Sequence, residues 1–155
     1  SRNGISFKMA KELGLENADC LSKDADKDFG LGIVGELKEA LEPTQFITLV
    51  KETFSLPIIR HSQLPSNKIK TVAFCGGSGA SLIASALKAK ADAYICGDIK
   101  HHDYFNSLEG ILLIDAGHFE TEIAIKDLFF SVFSKKIPNF VVYLAKTDKS
   151  PINYF

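Results

Sequence analysis

The sequence TVAFCGGSGASLI (residues 71–83) passes from a β-branched and aromatic run, through a glycine-rich turn, into a helical pattern. Such a strand–turn–helix unit is typical of α/β proteins, where backbone amides at the start of the helix can bind an anion. A dinucleotide-binding turn would need a third glycine at Leu82, and a P-loop would need a lysine that this turn lacks. Two interpretations remain: a tight turn that allows close backbone packing, or a loop that faces a ligand.

On both sides of this unit, short apolar runs alternate with segments of helical periodicity. The alternation predicts an α/β fold with a mixed, largely parallel sheet flanked by helices. The chain divides into a leading helix with a polar connector, residues 1–28, and an α/β domain, residues 29–155. We also expect a loop at the polar residues 16–28, one helix over residues 118–136 and a last strand at residues 140–146.

Composition and charge exclude several classes of function. The net charge is −1 and the lysines are interleaved with acidic residues, so the sequence lacks the basic stripe of a nucleic-acid-binding protein. The apolar runs are too short to span a bilayer. Three cysteines without C-x-x-C spacing argue against a disulfide framework and favour a reducing compartment. We therefore expect a cytoplasmic protein that binds neither nucleic acid nor membranes.

The segment CGDIKHHDYF (residues 96–105) brings several ionisable groups to the end of a predicted strand. Ligands bind at the carboxyl ends of strands in α/β sheets, so Asp98 and His102 are candidate site residues. Adjacent helical residues point in different directions, so His101 and His102 are not both expected to face one site.

The segment DAGHFETE (residues 115–122) places His118 near the start of a helix and Glu122 one turn later on the same face. The positive end of the helix dipole disfavours a protonated imidazole, and a neutral imidazole beside a carboxylate can bind a divalent ion. The alternative is a helix cap with a surface His–Glu hydrogen bond. Two ligands do not complete a metal site, so a further segment is required.

Nucleophilic catalysis by cysteine is the less favoured chemistry. Cys75 and Cys96 are expected at strand ends on one rim, but neither has a histidine beside it in sequence. Free cysteine is most often a small buried hydrophobe. His61, which follows Arg60, is interpreted as a residue at the end of a strand.

Four segments, in this order and spacing, resemble the GTP cyclohydrolase I type 2 homolog family, the dinuclear metal-binding proteins similar to the NGG1-interacting factor. They are FGLGIVGEL, VAFCGGSGASLI, ADAYICGDIKHHD and ILLIDAGHFETE. The opening NGISFKMAKELGL is similar to the helix that precedes them in the family, so the resemblance covers nearly the whole chain.

The resemblance implies two metal ions in a cleft between two similar α/β lobes, and assembly into toroidal hexamers. His118 and Glu122 match the C-terminal metal ligands of the family, and Asp98 and His102 match polar residues that face the cleft. The other ligands belong to an N-terminal lobe that this sequence lacks. The chain therefore resembles the C-terminal portion of a family member, with one lobe and its leading helix.

Three functions are compatible with the resemblance. The first is a metal-dependent hydrolase in which two ions activate water, with Asp98 or His102 orienting groups or carrying a proton. The second is a non-catalytic, ring-forming scaffold, and the third is a metal-handling protein. Histidine and carboxylate ligands suit zinc, manganese, iron or nickel, and the sequence does not choose among them.

Overall fold

The computed structural model of the protein describes residues 4–23 and 30–154. Within these residues, strands β1 to β6 form one sheet in the order β1-β2-β4-β5-β6-β3. The strands are β1 (Leu15–Lys23), β2 (Gly30–Leu41), β3 (Arg60–His61), β4 (Ile69–Ser78), β5 (Ala93–Gly97) and β6 (Leu112–Asp115). The α-helices are α1 (Ile5–Glu12), α2 (Pro43–Thr53), α3 (Ile83–Lys88), α4 (His118–Glu122) and α5 (Ile125–Lys136), with 3-10 helices at Ala80–Leu82 and His101–Glu109.

The sheet is mixed, as predicted, but it is not largely parallel. Strand β4 pairs parallel with β5, and β5 pairs parallel with β6. The pairs β1–β2, β2–β4 and β3–β6 are antiparallel. Parallel neighbours need crossover connections, which α3 and the second 3-10 helix supply between β4, β5 and β6. The other pairs are antiparallel: β1 and β2 are consecutive in the chain, whereas α2 and β3 lie between β2 and β4.

The first part of the polar segment 16–28, which was expected to be a loop, belongs to strand β1. Leu15 is buried in one core cluster and Leu21 packs against another, so β1 contributes apolar side chains to both despite its polar composition. The pairing with β2 shifts register between Glu16 and Asp19, and Asn17 has a φ of 54° there. Pairing with a neighbouring strand overrides weak local propensity. Residues 24–29 of the predicted connector lie outside the described residues.

Both faces of the sheet are buried. On one face, Phe46 and Val50 of α2 and Met9 of α1 pack in one cluster with Phe74 and Ile95. On the other face, a second cluster joins residues of α3 to strand residues that alternate with those of the first cluster. These strand residues include Ala73, Tyr94 and Leu113. Successive strand residues point to opposite faces, which explains why the runs in β4, β5 and β6 are almost continuously apolar.

Two predictions for the C-terminal part of the chain are wrong in detail. The helix expected over residues 118–136 is interrupted at Ile123 and Ala124, which separates α4 from α5. Residues 140–146 form no strand, and Phe140, Val141 and Tyr143 are strongly exposed. The described edges of the sheet are β1 and β3, and neither pairs with this segment. A strand needs such a partner because an isolated strand leaves its backbone groups unpaired.

No helix within the described residues is both long and apolar enough to cross a membrane.

Candidate functional site

The carboxyl ends of β5 and β6 lie side by side and carry the candidate site. Cys96 of β5 is in register with Asp115 of β6, and the backbone amide of Ala116 donates to the carbonyl of Cys96 at 2.9 Å. Asp98 therefore follows one strand at the same edge where His118 follows the other. This is the edge of an α/β sheet at which ligands bind.

His118 is hydrogen-bonded or ion-paired at both ring nitrogens. Its Nδ1 lies 2.6 Å from Oδ2 of Asp98, and its Nε2 lies 3.2 Å from Oε2 of Glu122. The carboxylates fix the orientation of the ring, as carboxylates commonly do for metal-binding histidines. The expected convergence of His118 and Glu122 is therefore present, and Asp98 joins them.

The protonation of His118 differs from the sequence-based expectation. The hydrogen bond with Asp98 is the largest influence and raises the pKa of His118 above its ordinary value, and the nearby charge of Glu122 adds to it. The helix dipole was expected to act in the opposite direction. Helix α4 has only five residues, and two adjacent carboxylates outweigh its dipole.

Two glycines allow the backbone to approach this cluster closely. A Cβ atom on Gly77 would lie 2.9 Å from Cδ of Glu122 and 3.3 Å from Nε2 of His118. A Cβ atom on Gly97 would lie 2.8 Å from the Cα of His118. The glycine-rich turn thus packs directly against the candidate ligands, which agrees with the close-packing interpretation of its glycines.

Thr121 ties the glycine turn to α4. Its fully buried hydroxyl accepts a hydrogen bond from the amide of Gly77 at 2.9 Å and lies 2.7 Å from the carbonyl of Gly117. One side chain thereby joins the end of β4 to the start of α4. Sequence analysis did not single out Thr121, because its partner lies 44 residues away in the chain.

Asp115 and Arg60 form a second unit that sequence analysis missed. The carboxylate of Asp115 is buried and accepts hydrogen bonds from the amides of Ile99 at 3.2 Å and Gly117 at 3.1 Å. Arg60 donates from Nη2 to Asp115 and also to the carbonyl of Ile99 at 2.9 Å. The hydrogen bond with Asp115 raises the pKa of Arg60.

This unit holds the two loops of the site in place. Asp98 has a φ of 59°, which is a strained conformation for a non-glycine residue, and Gly117 has a φ of 78°, which glycine adopts readily. Asp115 binds the amide that follows Asp98 and the amide of Gly117 itself. The sequence could have indicated Asp115, because it lies at the end of a predicted strand. No sequence pattern indicated the pairing of β3 with β6 that brings Arg60 to the site.

His102 is not brought to the His118 cluster. It lies on the second 3-10 helix, its side chain is 74% exposed, and its Nε2 is 3.4 Å from Oδ1 of Asp103. The neighbouring His101 packs edge-on against Phe105. A catalytic role for His102 therefore stays a prediction without a described contact to the other candidates. His61 is an exposed residue of β3, and its Nδ1 lies 2.7 Å from the carbonyl of Ser62.

The cysteines are placed for packing. Cys96 is fully buried, and burial raises its pKa to about 12. Burial also raises the pKa of Cys75, with a further contribution from Glu122. Tyr94 donates to the carbonyl of Gly79 at 2.7 Å beside both cysteines. A thiol with a raised pKa is a poor nucleophile at neutral pH. The burial of these cysteines therefore favours a packing role over nucleophilic catalysis.

Two cavities flank His118. One of about 300 Å³ has as its charged or titratable lining residues Arg60, Asp98, Asp115, His118, Glu120 and Tyr154. The other, of about 430 Å³, is bordered by His118 and Glu122 and is lined mainly by apolar groups, including Phe119 and Ile123. His118 therefore borders both a charged and an apolar space.

The spacing of the two atoms His118 Nε2 and Glu122 Oε2 is compatible with binding to one metal ion. Two ligands bonded to tetrahedral zinc at 2.0–2.1 Å lie about 3.3 Å apart, close to the 3.2 Å between His118 Nε2 and Glu122 Oε2. These two atoms fit neighbouring positions around one ion. Among residues 4–23 and 30–154, no group of three or more histidine, cysteine, aspartate or glutamate side chains is arranged to hold a metal. His118 Nε2 and Glu122 Oε2 are therefore two candidate ligand atoms.

Relatives of known sequence match most of this chain. A GTP cyclohydrolase 1 type 2 homolog of Staphylococcus epidermidis is 28% identical over 140 residues, which cover 88% of this chain and 38% of that protein. A Staphylococcus aureus protein of the same name is 29% identical over 130 residues, covering 81% of this chain and 36% of that protein. The chain therefore spans well under half the length of these relatives.

Solved structures show the same fold. A hypothetical protein of Staphylococcus aureus superposes with a TM-score of 0.85 at 24% identity, over 100% of this chain and 65% of that one. Reduced HcgD from Methanocaldococcus jannaschii superposes with a TM-score of 0.67 at 28% identity, over 88% of this chain and 53% of that one. The sequence profile of Duf34/NIF3 (NGG1p interacting factor 3) matches residues 1–151, and the chain belongs to this family.

Proposed function

We propose that the protein binds a divalent metal ion through His118 Nε2 and Glu122, and that this centre serves a hydrolase-like reaction. The observation that carries the proposal is the alignment of Asp98, His118 and Glu122. Asp98 occupies Nδ1 of the imidazole, which leaves Nε2 directed toward Glu122. A nitrogen and a carboxylate suit zinc, manganese, iron or nickel.

The remaining ligands are proposed to come from outside this chain. One imidazole and one carboxylate leave several coordination positions open. The family resemblance implies an N-terminal lobe that supplies the other ligands, a second ion and a cleft between two lobes. The limited share of the relatives' length that this chain spans is compatible with that arrangement.

The residues of the chain have distinct parts in this proposal. When bound, the metal would activate water and polarise a substrate oxygen. Asp98 holds the His118 ring in one orientation, and Asp115 with Arg60 holds the loops that carry both. Gly77 and Gly97 leave space for the ligands to approach the sheet. A proton-carrying role for His102 is part of the proposal but has no contact that supports it.

Elemental analysis of the purified protein by mass spectrometry tests the metal proposal. We expect bound divalent metal in the unaltered protein and at least a tenfold reduction in His118→Ala and in Glu122→Gln. His61→Ala is the matched control, because His61 is an exposed histidine that lines neither cavity beside His118. Equal metal content in His118→Ala and the unaltered protein would place any metal elsewhere and reject the proposal.

A second candidate is a non-catalytic protein that assembles into a ring, as the family resemblance implies. The supporting observation is the surface of α5, which has no buried residue and exposes Phe129, Phe130 and Phe133. Exposed apolar patches commonly mark interaction sites. Sedimentation analysis separates the candidates: Phe133→Glu would dissociate an assembly that uses this surface, whereas the metal content would stay unchanged.

The three free cysteines fit the proposed cytoplasmic location.

A further inference from the structure

We propose that Arg60 anchors the oxyanion group, a carboxylate or a phosphate, of a small molecule that occupies the 300 Å³ cavity beside His118. This inference deepens the proposed function and rests on it, because the molecule would be the substrate presented to the metal. It assigns the substrate class: a compact molecule with one anionic group and an apolar body. Arg60 becomes a specificity-determining residue in addition to its structural contact with Asp115.

The guanidinium of Arg60 is held in place while part of it remains available. Its Nη2 donates to Asp115 and to the carbonyl of Ile99, which uses both hydrogens on that nitrogen. In the described part of the chain, Nη1 and Nε have no hydrogen-bond acceptor. The side chain is 62% exposed and lines the cavity. A charged donor that is already oriented can bind an anion with little further loss of conformational entropy.

The charges of the cavity restrict where an anion can bind. Asp115 is neutralised by Arg60 and two amides, and Asp98 is paired with His118. Glu120 is the cavity carboxylate for which the described residues provide no hydrogen-bond or ion-pair partner. Its charge disfavours a second anionic group on the ligand. The arrangement therefore favours a molecule with a single oxyanion on the Arg60 side.

The remaining walls favour an apolar body of limited size. They include the apolar residues Leu56, Pro57, Ile58 and Ile152 together with Tyr154, and Ile58 and Ile152 are exposed within the described structure. A volume of 300 Å³ is at the lower end of the range for small-molecule pockets, which is about 300–1,000 Å³. A molecule built on one substituted ring matches this volume and these walls.

Binding measurements with three probes test the proposal. Phenyl phosphate and benzoate carry the two oxyanions on the same ring, and benzyl alcohol is their neutral counterpart. Calorimetric titration of the purified protein is expected to show that at least one anionic probe binds tenfold or more tightly than benzyl alcohol. The stronger of the two anionic probes identifies the oxyanion as phosphate or carboxylate.

Two variants and one control locate the binding. Arg60→Lys keeps a charge that can pair with Asp115 but removes the additional donors of the guanidinium. It is expected to lower the affinity for the anionic probe at least tenfold. Ile58→Asp leaves Arg60 intact, adds a negative charge to an exposed wall position and is expected to have the same effect. Lys68→Gln removes an exposed cation outside the cavity lining and should leave the affinity unchanged.

The outcomes separate this inference from the metal proposal. Equal affinities for anionic and neutral probes, no binding of either anionic probe, or unchanged affinity in both Arg60→Lys and Ile58→Asp would overturn it. The titrations are repeated with zinc and with a chelator. Arg60-dependent binding that survives the chelator supports the inference even if metal binding fails, whereas zinc binding without Arg60-dependent binding rejects the inference alone.

Discussion

The side chains of Asp98 and His118 are separated by 20 residues in sequence and by 2.6 Å in space. Asp98 follows β5 and His118 follows the parallel neighbour β6, and Asp98, with a left-handed backbone, places its carboxylate at Nδ1 of the imidazole. This contact determines which nitrogen of His118 is available to Glu122.

Replacing Asp98 by asparagine should weaken zinc binding by about 10- to 100-fold, the usual cost of losing a carboxylate behind a metal-binding histidine. The asparagine keeps the shape but loses the charge that favours an imidazole with Nδ1 protonated. Competition with a chromophoric chelator measures the affinity. Asp127→Asn is the control, because Asp127 is exposed and pairs with Lys8 instead. Equal zinc affinity in both variants would show that Asp98 does not support the ligand.

The raised pKa of His118 predicts how the stability of the metal-free protein depends on pH. A group with a higher pKa in the folded state binds its proton more tightly there, so its protonation favours folding. This contribution is complete below the unfolded pKa near 6.5 and is lost as pH rises through the folded pKa. Urea unfolding of the protein and of Asp98→Asn across this window should show a pH-dependent difference that decreases at alkaline pH. A constant difference would contradict the assignment.

Gly77→Ala should reduce both stability and zinc affinity, whereas Gly14→Ala should reduce stability alone. The two glycines have similar φ values, 68° and 73°, so an alanine meets similar backbone strain of about 1–2 kcal/mol at each position. A Cβ atom on Gly14 would meet nothing within 4 Å, but one on Gly77 would collide with the Glu122 carboxylate. Thermal unfolding and zinc titration of both variants separate strain from collision. Similar zinc affinities for the two variants would argue against the proposed ligand position.

Thr121→Val should destabilise the fold by about 1–3 kcal/mol, because the buried amide of Gly77 would lose its acceptor. Thr121→Ser keeps the hydroxyl and removes one methyl group, so most of the loss should be absent. Urea denaturation of the three proteins provides the comparison. A serine variant as unstable as the valine variant would assign the effect to packing and not to the hydrogen bond.

The sequence predicted the parts of the structure that depend on local pattern. These parts include the glycine-rich turn, the helical spacing of His118 and Glu122, and the apolar runs of β4, β5 and β6. That Asp98 lies near His118 was implied by the family resemblance, in which both match residues of one cleft, and their direct contact is a finding of the structure. The family resemblance was confirmed by the match to Duf34/NIF3 over residues 1–151.

Features that depend on pairing between distant segments could not be predicted from the sequence. Strand β1 is polar in composition and exists because β2 provides a partner. Arg60 reaches Asp115 because the two-residue strand β3 pairs with β6, and so short a strand has no periodicity to detect. The apolar residues 140–146 have strand-like composition but no adjacent strand in the described sheet. Composition alone does not reveal whether a partner is present.

The interruption between α4 and α5 has a consequence for the time scales of motion. Helix α4 is fixed to the sheet through Thr121, whereas α5 buries no residue of its own. We therefore expect the backbone amides of α5 to exchange with solvent through local opening, with a free energy below that of global unfolding. The amide of Gly77, held by Thr121, exchanges only when the turn and α4 separate. The helix that carries the candidate ligands and the helix that follows it thus behave as kinetically separate units, although only two residues lie between them.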